Sequence, residues 1–94
     1  MSSSEKIEAA EVVALRCIVE IAGDADLGPR FLTLTGLDAD GLRESLGERT
    51  TLAAALGFLL EHEPSLLAVA GRAGLEPKEI AEAADALGAA YREY

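Results

Sequence analysis

The chain has 94 residues, half of them apolar, with 17 acidic residues against 8 basic and a net charge of −9. That length gives one domain, with interior enough to fold without a structural metal, and a single cysteine excludes an intrachain disulfide. The charge repels phosphate backbones and anionic lipid headgroups, and it favours basic partners, cations or plain solubility.

The kind of apolar residue sets the fold class. Leu and Ala dominate, Trp is absent and aromatics make up 4% of the chain. Strong helix formers fill the middle, β-branched residues are sparse beyond the first segment, and no stretch alternates strictly between apolar and polar. The sequence therefore predicts an all-α domain over residues 4–94. It should be a compact bundle of five or six short helices, the first one longer, with a helix-turn-helix-like pair near the C-terminus.

The first helix is expected from about Glu5 to Ala22. Ser2 and Glu5 have capping-box spacing, and Gly23 and Asp24 stop the helix. Ile7, Ala10, Ala14, Cys17, Ile18 and Ile21 share one face. Val12, Leu15 and Val19 make a second stripe on the far side, beside Glu8, Arg16 and Glu20. A helix apolar on two sides is either central in its fold or committed to a partner.

The second helix, about Leu27 to Thr35, carries Phe31, Leu32 and Leu34. Pro29 is tolerable only in its first turn, and Gly36 reads as a left-handed C-cap. Asp38 then caps a third short helix carrying Leu42 and Leu46, which Gly47 closes. Thr50 or Thr51 caps a fourth, about Leu52 to His62, with Leu52, Leu56, Leu59 and Leu60 inward. Ala53 and Gly57 leave a smooth strip on it where another helix can approach closely.

Pro64 opens the fifth helix, with Leu66, Val69, Ala70 and Ala73. Gly74 stops it, and Leu75 stands where a post-cap hydrophobic contact belongs. Pro77 opens the sixth, with Ile80, Ala83, Ala84, Leu87 and Tyr91 on one face. Gly88 weakens its end, so the last residues are expected to fray. Gly36 to Leu42 echoes Gly74 to Ile80, each reading as helix stop, apolar plug, acidic cap and new helix. Shared turn chemistry accounts for this without a true repeat.

The segment Met1 to Lys6 has no basic region leading into an apolar run, so no signal peptide is expected. The apolar runs are too short for a bilayer. The expected location is the cytoplasm, with no membrane contact.

Two strings carry a family likeness. One is Pro29-Arg30-Phe31-Leu32-Thr33-Leu34-Thr35-Gly36-Leu37. The other runs from Phe58-Leu59-Leu60 through Leu66-Leu67-Ala68-Val69-Ala70 to Gly74-Leu75. Together they resemble a family of short bacterial proteins classified only as a domain of unknown function. Its members pair a Phe-Leu-x-Leu-Thr-Gly-Leu segment with a later Phe-Leu-Leu run and a Leu-Leu-Ala-Phe-Ala-like helix ending in Gly-Leu. The likeness extends from about Ala14 to Leu87. Val69 stands where Phe is usual, and Pro29 where a helix-neutral residue is expected. The resemblance implies a compact helical protein. It implies no activity and carries over no functional residues.

Candidate chemistry is thin. His62 lies within Glu61-His62-Glu63, but there is no second His, and adjacent helix positions point apart. Cys17 would need a base or cation to become a nucleophile. Arg16 lies about 100° away around the helix, and Cys17 shares the apolar face. Asp38, Asp40 and Glu44 cluster at a helix start, where the macrodipole favours acids, and the calcium-loop pattern is absent. The pair of helices around Gly74 has helix-turn-helix spacing. Its second helix, however, presents Glu76, Glu79, Glu82 and Asp85 against Lys78, the wrong charge for a DNA groove. Nucleic-acid binding would need Arg43, Arg49, Arg72 and Lys78 to converge.

These observations assign no catalytic residues, no metal site and no cofactor. The expectation is a small non-catalytic protein-interaction module rather than an enzyme, nucleic-acid regulator or small-ligand binder. Its partner is another protein or a second copy of the chain. The candidate surface is Val12, Leu15, Val19 and Phe58. Phe58 lies off the Leu52, Leu56 and Leu59 face of its own helix.

Overall fold

A computed structural model describes residues 3–89. Six helices follow in order: α1 (Ser3–Ala22), α2 (Leu27–Thr35), α3 (Ala39–Glu44), α4 (Arg49–Leu60), α5 (Glu63–Ala73) and α6 (Pro77–Leu87). The expected cap at Ser2, the inward Tyr91 and the frayed last residues lie outside the described residues.

Local backbone chemistry places the breaks. Asp24 ends α1 and starts α2. Its carboxylate accepts the Asp26 and Leu27 N–H groups at 2.8 and 2.9 Å, donors that a helix start would otherwise leave orphaned. Pro29 falls in the first turn of α2, where its missing N–H costs nothing. Gly36, Gly74 and Gly88 end α2, α5 and α6 with φ of 75°, 70° and 72°, the left-handed conformation that a side chain disfavours. Asp38 caps α3 by accepting from the Gly41 N–H at 2.7 Å.

The third and fourth helices differ from expectation, the fourth also at its end, which falls at Leu60 rather than His62. The third helix ends at Glu44 rather than running to Gly47, because the Ser45 N–H is shared between the Gly41 and Leu42 carbonyls and its hydroxyl also bonds Leu42. The fourth begins at Arg49 with Glu48 in the N-cap position. Thr51 then lies within the first turn of the helix, and is buried.

Burial is most complete on α4. Thr51, Leu52, Ala53, Ala55, Leu56, Gly57 and Leu59 are all buried, which covers roughly two thirds of its circumference. The small residues at 53, 55 and 57 let neighbours come close. Helices α1 and α6 pack on α4 and on each other, α2 crosses the C-terminal half of α1, and α5 docks against α1 and α4. The chain bends by 116° between α4 and α5. Helix α6 turns Ile80, Ala83, Ala84 and Leu87 inward. Buried residues from all six helices join in one core. Among the described residues, no single helix is long and apolar enough to cross a membrane.

Candidate functional site

Helix α1 buries Ala10, Ala14, Cys17, Ile18 and Ile21. The opposite face stays uncovered. Val12 is 56% exposed, Leu15 38% and Val19 68%. Spaced i, i+3 and i+7, they form one line along the helix. Helix α1 packs against α2, α4, α5 and α6, yet it keeps its second stripe in solvent. Leu34 and Leu67 are also exposed, each singly on α2 and α5. Isolated cases of that kind are ordinary.

The stripe is held in a fixed orientation. The Arg16 guanidinium donates to the Ala73 carbonyl at 2.7 Å, satisfying an orphan acceptor at the end of α5. Arg72, in the last turn of α5, reaches back to Asp24 at 2.9 Å and to Glu20 at 3.7 Å. These contacts join the C-terminal ends of α1 and α5 along one flank of the stripe. Asp24 is held below the usual carboxylate range. The main cause is the pair of backbone N–H bonds from Leu27 and Asp26, with the Arg72 bond adding to them.

On the other flank, Val19 meets a groove of about 340 Å³ between α1, α2 and α3. Ile18, Phe31, Leu32, Leu42 and Leu46 wall it, and Arg43 stands at its edge, paired with Asp40 at 3.1 Å.

Phe58 sits apart from the α1 line. It is half-buried on α4, tilted against Phe31 with ring centroids 5.4 Å apart. The Arg30 guanidinium lies 6.0 Å from its ring centre. Its ring already has partners within the chain, in a packing that contributes to stability. Sequence periodicity within α4 missed this pair, because the contact comes from α2.

The remaining candidates stay local. The His62 ring shares a hydrogen bond with Ser65 at 2.5 Å, at the start of α5. Burial pushes the Cys17 thiol up to about 11, which leaves it protonated and unreactive near neutrality despite Arg16 beside it. Asp38 and Asp40 serve the α3 start, one as cap and one as the partner of Arg43. Among the described residues, no three His, Cys, Asp or Glu side chains converge as a metal site would require. Arg43 and Lys78 pair with acids on their own helices, Lys78 with Glu82 at 3.8 Å, and Arg72 pairs across to Glu20 and Asp24.

No curated protein and no solved structure matches the chain. A family match does cover residues 7–90, nearly the whole of the described structure. It takes in both strings that carried the likeness, together with the α1 stripe. The chain belongs to the family described as protein of unknown function DUF3572.

Proposed function

We propose that the protein is a small non-catalytic interaction module, whose docking face is the outward surface of α1. One observation carries this reading. Val12, Leu15 and Val19 stand exposed in a single line on a helix whose opposite face is locked in the core. Apolar side chains grouped on a rigid surface lose less entropy on binding than side chains on a loop, and such patches mark contact sites. A cytoplasmic setting fits a buried cysteine with no disulfide partner.

The test is capture of partners on the tagged protein from a native lysate at low and moderate salt. A protein retained by the wild type and released by Val12→Asp or Val19→Asp, with helical content unchanged by circular dichroism, supports the module. Identical retention by wild type and both variants refutes the assignment of the docking face to α1.

A further inference from the structure

The outward face of α1 is distinctive in charge as well as polarity. Glu8 continues the line of Val12, Leu15 and Val19 by one turn towards the N-terminus, and Glu11 lies beside it. Neither has an ion-pair partner among the described residues. The cations around the stripe are already engaged within the chain. Arg72 binds Asp24 and Glu20 and Arg43 binds Asp40, while Arg16 donates to the neutral Ala73 carbonyl and keeps its charge, so that around the stripe Glu8, Glu11, Glu20, Asp24 and Asp40 outnumber Arg16, Arg43 and Arg72. The stripe therefore presents an apolar line with an anionic rim, on a chain of net charge −9. At its C-terminal end it runs on through Val19 into the groove walled by Leu32, Leu42 and Leu46.

We propose that this track seats an amphipathic helix of a partner protein, one whose apolar stripe is flanked by Lys and Arg. The proposal rests on α1 being the docking face and adds the chemistry of what docks there. The i, i+3, i+7 spacing matches the rhythm of a second helix, and the anionic rim selects its charge. A second copy of this chain is the poorer occupant. Parallel self-pairing of α1 lays Glu8 on Glu8 within the seam, and any self-pairing joins two bodies of charge −9. Anionic membranes and nucleic acids meet the same repulsion.

The test uses a fluorescent peptide of about 20 residues, long enough to hold a helix. Leucines at i, i+3, i+4 and i+7 form one face and lysines fill the other. Binding to the full chain is read by anisotropy. Three controls accompany it: the same composition scrambled so that leucines share no face, the lysines replaced by glutamate, and titration with salt.

The lysine peptide should bind the wild type in a salt-sensitive manner, and the scrambled one should not. Val12→Asp and Val19→Asp should each weaken binding roughly tenfold or more, the loss typical of a central contact. The direction is decisive, because an added carboxylate tightens any association driven by charge alone. Glu8→Lys together with Glu11→Lys should also weaken it. Equal binding of the scrambled peptide, or tighter binding by the Asp variants, overturns the proposal. Preference for the glutamate peptide through the same residues also overturns it, yet leaves the docking face standing. Failure of every peptide overturns it as well, and lysate capture with the stripe variants then judges the docking face separately. Sedimentation showing a wild-type dimer that Leu15→Asp dissociates assigns the face to a second copy and overturns the basic helix.

Discussion

Ile18 and Val19 are adjacent and similar in chemistry, yet truncation should cost much at the first and almost nothing at the second. Ile18 is 4% exposed and walls the core beneath the groove, whereas Val19 is 68% exposed. Ile18→Ala deletes buried methyl groups and leaves a cavity in a close-packed interior, at about 2–5 kcal/mol. In a chain of this size total stability is roughly 5–14 kcal/mol, and each kcal/mol moves Tm by about 4–8 °C. The midpoint should therefore fall by at least about 8 °C.

Val19→Ala removes a side chain with roughly a third of its surface out of water, a loss of about 0.5 kcal/mol. Alanine's better helix propensity returns about the same amount, so the net change should be near zero. Urea unfolding followed by far-UV circular dichroism measures both. Loss of more than about 1 kcal/mol in Val19→Ala with an unchanged urea slope would refute the outward placement of the stripe. If that loss grew on concentrating the protein, the stripe would be buried between copies.

Further outcomes follow from single positions. Gly71 is helical with open space around it, so Gly71→Ala should stabilise by about 0.5–1 kcal/mol. Gly36 has equally open space but a φ of 75°, so Gly36→Ala should destabilise by about 1–2 kcal/mol, and both are read by urea midpoints. The Asp24 carboxyl is held below its usual value of 3.8, so its contribution is fully present above that pH and is lost as pH falls through the lower folded value. Asp24→Asn should accordingly be less stable than wild type at neutral pH, with the difference vanishing in acid. A constant difference across that range would contradict the capping geometry. Cys17 should resist a thiol reagent at mildly alkaline pH in the folded protein and react at once in denaturant. Rapid native labelling would place it outside the core.

Much of the architecture is written locally. Gly36, Gly74 and Gly88 terminate helices because the left-handed backbone needed there is cheap only for glycine. Pro29, Pro64 and Pro77 open helices because proline is harmless only in a first turn. The inward faces of α1 and α6 follow from the helical period acting on Leu, Ile and Ala. Each of these depends on residues a few positions apart, so the sequence by itself determined them.

The candidate site depended on what lies across space. Two apolar stripes on α1 are compatible with a central helix or a surface one, and periodicity is the same in both. Tertiary structure decided the matter by packing α2, α4, α5 and α6 around α1 so that Val12, Leu15 and Val19 stay uncovered. The same holds for Phe58, whose half-burial is set by Phe31 and Arg30 on another helix. The ties from Arg16 to Ala73 and from Arg72 to Glu20 and Asp24 span tens of residues of chain, with no local spacing to betray them. A period fixes which residues share a face, but which face is covered is settled only by the helices that fold against it.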